Sequence, residues 1–284
     1  MSKERGVTLR AQWLGQLLRD LREQKGFTLK DAGEYLQRTG ATVSRFETGV
    51  YPIRRVDTAA LLDLYGVEDP KHRDMLLQLA GELWQTGWWE SYADDAWSST
   101  IDLAWLEDRA VSLRLFAGMV VPGLLQTREY ALALFSATSP DMSAHRLTRG
   151  VDLRQERQQI LHRDTPPQIT AVIDEAALRR TVGSNDVMAG QLRHLRQMMD
   201  LPQVEINVLP FELGAHASPE GSFALIGLAA PFSDIAHSEC PGGAIYLERT
   251  GVDRLVRVYD QLRGTSLDAE KSAAFLAALE KDLS

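Results

Sequence analysis

One arginine, Arg45, stands among short polar side chains in the stretch from Thr39 to Thr48. A guanidinium can donate two hydrogen bonds to the O6 and N7 atoms of guanine in the major groove of DNA. Short hydroxyl side chains suit phosphate oxygens or thymine methyl groups instead. The residues of this stretch that are predicted to face DNA are Thr39, Ala41, Thr42, Ser44, Arg45 and Thr48.

The elements that must position these residues are two short helices joined by a tight turn. Thr28, with Asp31 three residues later, forms a capping-box pattern at the start of the first helix. Thr39 can cap the second helix, and Gly49 is suited to end it. The apolar residues spaced to face inward are Ala32, Leu36, Val43 and Phe46. This pattern predicts a helix-turn-helix, whose second helix enters the major groove.

Basic residues on both sides of the second helix are candidates for holding the DNA backbone. Thr28 and Lys30 lie at the start of the first helix, where free N–H groups and the helix dipole favour a phosphate. The arginines predicted to grip the backbone from the flanks are Arg22, Arg54 and Arg55. Glu47 is predicted to pair within the protein. For each basic residue, the alternative is a solvated surface side chain.

Residues 9–67 resemble the phage-repressor-like, XRE-type helix-turn-helix family, whose recognition-helix signature matches Val43–Gly49. Further motifs are similar to those of actinobacterial-type regulators with an antitoxin-like C-terminal domain: Leu61–Gly66, Gly87–Glu90, Val121–Thr127, Arg154–Arg157, Asp174–Arg180, Leu209–Phe211 and Gly214–His216. The resemblance implies control of development or antibiotic production. It also implies binding of a small partner protein that is encoded nearby.

Two positions depart from the family pattern. Gln37 occupies the turn position where glycine is usual, and a residue other than glycine at positive φ costs about 1 kcal/mol. The small residues Gly40 and Ala41 replace the usual basic residue at the front of the second helix. Base specificity is therefore expected to depend more on Arg45 and on DNA shape.

The net charge of −8 is divided unevenly along the 284 residues. Residues 1–67 contain 11 basic and 8 acidic residues, whereas the remainder contains 20 basic and 31 acidic ones. Either charge merely fluctuates along the chain, or a basic head that faces nucleic acid is attached to an acidic body. We predict a helix-turn-helix domain over residues 8–68 and a regulatory or partner-binding domain over 69–284.

The body is predicted to be α+β with a small sheet, behind an all-α head. The predicted strands are Gln168–Ile173, Val204–Leu209, Phe223–Leu228, Ile235–His237 and Ala244–Leu247. Helices are predicted over residues 126–136, 146–162, 186–199, 252–263 and 268–283. No apolar run approaches the roughly 18 residues of a membrane span, and the polar N-terminus is unlike a signal peptide. We expect a cytoplasmic protein without membrane contact.

No enzymatic motif is complete. His237, Glu239 and Cys240 superficially match a zinc deaminase motif, but further cysteine ligands are lacking because Cys240 is the single cysteine. His216 and His237 are expected to be ordinary histidines rather than metal ligands. We predict no catalytic residue, no metal and no cofactor.

Aromatic residues are concentrated after the head, at Trp84, Trp88, Trp89, Tyr92, Trp97 and Trp105. They either pack in a core or form an exposed cleft for a ligand or a basic partner segment. The residues assigned to such a cleft are Trp88, Trp89, Tyr92 and Trp97. The apolar segment Val120–Leu125 either lines a pocket or merely joins two elements.

These patterns predict a sequence-specific transcriptional regulator that binds double-stranded DNA as a homodimer. Its body would mediate dimerisation and receive a signal from a partner or ligand. The alternative is an antitoxin-like protein, which neutralises a small partner protein and regulates its own operon.

Overall fold

The computed structural model describes residues 8–85, 87–96, 98–230, 232–240, 243–248 and 250–283. These residues form two compact units. The first unit comprises the described residues up to Ala93 together with Thr100–Asp102, and the second comprises Asp94–Ser99 and the described residues from Leu103 onward.

The first unit is all-helical. Its helices are α1 (Leu9–Gln24), α2 (Leu29–Tyr35), α3 (Gly40–Glu47), α4 (Arg55–Leu64) and α5 (Pro70–Glu82), followed by a short 3₁₀ helix (Trp88–Tyr92). Leu14 and Leu18 of α1 and Val43 of α3 are fully buried, so the inward face predicted for α3 is part of the core. The predicted boundary between residues 68 and 69 falls inside this unit, because α5 packs against α1 and α4.

Side-chain caps set where α2 and α3 begin. The Thr28 hydroxyl accepts from the Asp31 N–H at 3.2 Å, and the Asp31 carboxylate accepts from the Thr28 N–H at 2.8 Å. This reciprocal pair is the predicted capping box. The Thr39 hydroxyl accepts from the Thr42 N–H at 3.2 Å and caps α3, which confirms the second predicted helix start.

The turn between α2 and α3 is tight. Gln37 has a φ of 55°, the positive value expected at the usual glycine position. A side chain on Gly33 of α2 would place its Cβ 2.7 Å from the backbone nitrogen of Gly40. Glycine at position 33 therefore allows the backbones of α2 and α3 to approach closely.

The second unit contains a six-stranded sheet in the order β3-β2-β1-β4-β5-β6. The strands are β1 (Ala110–Ala117), β2 (Gln168–Asp174), β3 (Val204–Leu209), β4 (Phe223–Leu228), β5 (Ile235–Cys240) and β6 (Gly243–Leu247). β1 pairs in parallel with β2, and β2 with β3, while β4, β5 and β6 continue antiparallel on the other side of β1.

Further helices precede, separate and follow the strands along the chain. They are α6 (Ser98–Arg109), which carries residues of both units, α7 (Arg128–Thr138), α8 (Ala144–Arg157), α9 (Glu175–Arg179), α10 (Asn185–Met198), α11 (Thr250–Thr265) and α12 (Ala269–Asp282). In α11, Tyr259 and Leu262 are buried in a core with Phe116 and Phe223 of the sheet. The Tyr259 hydroxyl donates to the carbonyl of Thr170 at 2.7 Å, which ties α11 to β2.

The predicted class, an all-α head followed by an α+β body, is confirmed. Five strands lie where the sequence predicts them, although β5 extends to Cys240. The predicted strands do not include β1, which is a central strand of the sheet. Within the described residues, no helix combines the length and hydropathy that crossing a bilayer requires.

Candidate nucleic-acid interface

The outward face of α3 is accessible. Val43 and Phe46 point into the core of the first unit, with 0% and 8% of their surface exposed. Ala41 and Arg45 of the same helix and Thr48 at its C-terminal cap are exposed. Thr42 and Ser44 are half-buried beside them. The helix therefore separates its residues into a buried and an exposed side, as the spacing predicts.

Most hydroxyl groups near this face are engaged within α3 itself. The Thr39 and Thr42 hydroxyl oxygens lie 3.0 Å apart, and the Thr48 hydroxyl donates to the carbonyl of Ser44 at 2.9 Å. Arg45 is thus the long exposed side chain of α3 that can reach into a groove.

Arg45 rests on an aromatic ring. Its guanidinium carbon lies 5.1 Å from the ring centroid of Tyr51, and Nη1 lies 3.5 Å from the Tyr51 hydroxyl. The Tyr51 side chain is 49% exposed. This cation–π contact restrains the guanidinium at the surface. Tyr51 is not among the residues predicted to face DNA, although an aromatic residue six positions after the arginine was a usable signal.

Exposed cations flank α3 within the first unit. Lys30 of α2 and Arg54 and Arg55 at the start of α4 are exposed, as predicted. Lys30 Nζ lies 3.7 Å from Glu34 Oε1, a solvated pair of small energetic weight. Arg38 is not among the predicted contacts, but it is also exposed, and its Nη2 lies 4.0 Å from Oδ2 of Asp57 in α4. Its position at the turn before α3 was the available signal.

Arg22 is not part of this surface. Only 7% of its surface is exposed, and its Nε and Nη2 donate to both Glu47 carboxylate oxygens at 2.6 and 2.9 Å. Its Nη1 donates to the carbonyl of Phe27 at 2.9 Å, and the bond to Glu47 raises the pKa of Arg22. The predicted phosphate contact by Arg22 is therefore wrong, because Arg22 joins α1 to α3. The predicted internal pairing of Glu47 is confirmed.

The polar groups of Thr28 are also engaged within the protein. Its hydroxyl and amide both bond to Asp31, and these bonds lower the pKa of the Asp31 carboxyl. A phosphate at the start of α2 would meet this carboxylate. The predicted phosphate contact at Thr28 is thus unfavourable, which leaves Lys30 as the exposed cation at this end of α2.

Two family models match the chain. One, for a helix-turn-helix domain, matches residues 13–76, and the other, for a domain of unknown function (DUF5753), matches residues 100–278. The second match covers more than half of the chain. The chain belongs to the DUF5753 family. No curated protein and no solved structure matched it. The helix-turn-helix match agrees with the geometry of α2 and α3, and domains of this class bind DNA.

The aromatic residues that follow the head of this DUF5753 protein range from buried to exposed. Trp89 is 5% exposed, so it is a packing residue, and the prediction that it faces a partner is wrong. Trp88 and Tyr92 are half-buried and meet edge to face, with centroids 6.4 Å apart. Trp84 is exposed at 56% and donates from Nε1 to the carbonyl of Ile53. Trp97 lies outside the described residues.

The apolar segment Val120–Leu125 lies inside the region that defines the family. Its residues Val120 to Leu124 line a cavity of about 400 Å³ within the second unit. Of the two alternatives for this segment, lining a pocket is therefore confirmed.

Proposed function

We propose that this protein is an XRE-type, sequence-specific DNA-binding transcriptional regulator that acts as a homodimer. The observation that carries the proposal is the exposed face of α3, on which Arg45 projects while Val43 and Phe46 anchor the helix. The second unit would mediate dimerisation and receive a signal. The proposal places the protein in the cytoplasm and assigns it no catalytic reaction and no cofactor.

Charge supports DNA as the partner of the first unit. The exposed cations of this unit near α3 are Lys30, Arg38, Arg45, Arg54 and Arg55. The rest of the chain is strongly acidic, so DNA is repelled from the body and drawn to the head. In the bound state, Arg45 would donate to a guanine and the flanking cations would hold phosphates.

The decisive test is a base-specific one. Full-length protein is used to select binding sites from random double-stranded DNA, and the affinity for the selected site is measured by fluorescence anisotropy. Arg45→Ala is expected to lower this affinity by about 10- to 100-fold and to relax the preference at one base pair. Arg19→Ala is the matched control, because Arg19 is an exposed arginine whose Nε bonds to Glu23 at 2.9 Å. Its affinity should stay close to that of the wild type.

Salt dependence tests the flanking contacts. Each phosphate contact steepens the slope of log affinity against log salt concentration by about 0.9. Lys30→Gln, Arg54→Gln and Arg55→Gln should therefore each make this slope shallower by about one.

A homodimer predicts selected half-sites about 34 Å apart. Failure to select any sequence at low ionic strength would refute the regulator. A stoichiometric small protein that co-purifies, combined with binding only to the protein's own operator, would favour the antitoxin alternative.

A further inference from the structure

The cavity of the second unit has the dimensions of a small-molecule site. Its volume of about 400 Å³ lies within the range of roughly 300–1,000 Å³ that is usual for such sites. Helices α6, α7 and α8 and strands β1, β4 and β5 all contribute to its wall. Most of the wall is apolar, including Leu115, Phe116, Val121, Leu134, Phe135 and Phe223.

One half-buried cation in this wall, Arg154, lacks a matching anion. Arg154 donates from Nη1 to the amide oxygen of Gln126 at 2.7 Å, and its guanidinium carbon lies 4.5 Å from the ring centroid of Phe135. Its Nε is buried without an acceptor, and the described residues give Arg154 no ion pair. Burial, followed by the nearby Arg157, lowers the pKa of Arg154 to about 10, so the group is charged at neutral pH.

The neighbouring charges do not neutralise Arg154. Arg157 donates from Nε and Nη2 to the two Glu107 oxygens, both at 2.7 Å, so the Glu107 carboxylate is already engaged. Glu239 also lines the cavity, but it is exposed to solvent and the described residues show no hydrogen bond from Arg154 to it. A half-buried guanidinium whose Nε is buried without an acceptor is unfavourable unless a ligand supplies a carboxylate.

The space beside Arg154 is open because residue 123 is glycine. A Cβ on Gly123 would lie 3.4 Å from Arg154 Nε and 3.7 Å from Arg157 Nη2. A second polar atom, Nε2 of His237, lies buried and without a partner among the described residues, and His237 is only 6% exposed. Burial lowers the pKa of His237, so its ring is neutral and can bond to an uncharged oxygen.

We propose that this cavity binds a small apolar monocarboxylate. Its carboxylate would accept from Arg154, its apolar body would contact Phe116, Phe135 and the neighbouring aliphatic side chains, and an oxygen substituent would bond to His237. A monoanion fits because Arg154 offers one unmatched positive charge, and a dianion would leave a negative charge against an apolar wall. The role of this ligand as a signal depends on the regulatory function proposed above, whereas its binding does not.

Matched ligands test the proposal on the full-length wild-type protein. Phenylbutyrate, phenylbutanol and phenylbutylamine share one apolar body and differ in the charge of the head group. Isothermal titration calorimetry near neutral pH should show phenylbutyrate binding about tenfold or more tightly than phenylbutanol, and phenylbutylamine more weakly still. Equal affinities for the acid and the alcohol, or no binding of the acid, would overturn the proposal.

Variants locate the site. Arg154→Gln should weaken phenylbutyrate binding by about tenfold, and Val120→Trp should block it by filling the cavity. Glu239→Gln, at an exposed position, should strengthen binding several-fold because it removes a competing negative charge. Arg254→Gln in α11 is the matched control, since Arg254 is exposed and does not line the cavity. If Arg154→Gln does not fold, Glu239→Gln and the comparison of the three ligands still test the proposed site. An unchanged affinity of Glu239→Gln for phenylbutyrate would argue against the site.

The two proposals fail separately. If the protein selects no DNA sequence but binds phenylbutyrate, the proposed regulator function is refuted and the proposed carboxylate site is not. Intact DNA selection with no difference between phenylbutyrate and phenylbutanol would refute the carboxylate site alone. When both bind, a shift in operator affinity on adding phenylbutyrate supports its role as the signal class, and an unchanged operator affinity removes that role.

Discussion

Both units contain a buried arginine that makes a two-point bond to a glutamate. Arg22 and Glu47 join α1 to α3 in the first unit, and Arg157 and Glu107 join α8 to α6 in the second. All four residues are less than a tenth exposed. The second unit differs because a further arginine, Arg154, lies beside its matched pair without a carboxylate of its own. A matched pair fixes the packing of two helices, whereas the unmatched, half-buried Arg154 is the basis for the ligand site proposed above.

Breaking either matched pair should give the largest change. Arg22→Met and Arg157→Met each leave a buried carboxylate without its cation, and each should lower the free energy of unfolding of its unit by about 3–5 kcal/mol. Urea denaturation followed by circular dichroism measures this change. Arg154→Met is the contrasting variant: it strands no carboxylate and leaves the Gln126 amide oxygen without this donor, so it should lower the free energy of unfolding by only about 1–2 kcal/mol. If Arg154→Met lowers the free energy of unfolding as much as Arg157→Met does, the distinction between the two arginines is wrong.

The first unit also contains a buried acidic group, Asp102, whose hydrogen bond among the described residues is to a backbone N–H and not to a cation. Its carboxylate accepts from the Leu9 N–H at 3.2 Å, and burial raises its pKa to about 6. Between about pH 4 and pH 6 the folded protein therefore holds a proton that the unfolded chain releases, so this contribution to stability falls as pH rises through that window. Above pH 6, ionisation of Asp102 lowers the free energy of unfolding by about 3 kcal/mol relative to its value below pH 4.

Asp102→Asn removes this titration while keeping an acceptor for Leu9. Relative to the variant, the wild type should be most stable near pH 4 and should lose up to about 3 kcal/mol by pH 7. Thermal unfolding of both proteins across this range gives the comparison, in which the shared titrations of other carboxylates cancel. A difference that stays constant with pH would mean that Asp102 is not protonated in the folded protein.

The two units also differ in how far sequence could predict them. The α3 surface lies within residues 28–55, so local spacing and caps identified Arg45, Lys30 and the turn at Gln37. Local rules failed for Arg22, because its burial depends on Glu47, which lies 25 positions away. A charged side chain carries no local sign that a distant partner will bury it.

The cavity of the second unit was harder to predict from sequence than the α3 surface, because residues far apart in the chain form it. Its lining residues range from Leu103 to Glu239, and the register that brings them together follows from β1. That strand follows α6 directly, without an intervening glycine or proline, and the polar Ser112 and Arg114 interrupt its apolar residues. Periodicity therefore gave no boundary there. Within this cavity's lining, the Val120–Leu125 segment was the sequence signal for a pocket, and the pairing of Arg157 with Glu107 was not predictable.

The smallest expected effect lies at the turn between α2 and α3. Gln37 is the one described residue other than glycine with a positive φ, and glycine adopts this conformation without the clash of a Cβ atom. Gln37→Gly should raise the free energy of unfolding of the first unit by about 0.5–1 kcal/mol, after allowing for the greater freedom of glycine in the unfolded chain. Gln12→Gly, at an exposed position within α1, is the matched control and should lower it by about 1 kcal/mol. If both variants lose stability equally, the turn at Gln37 carries no strain and the departure from glycine at this position is neutral.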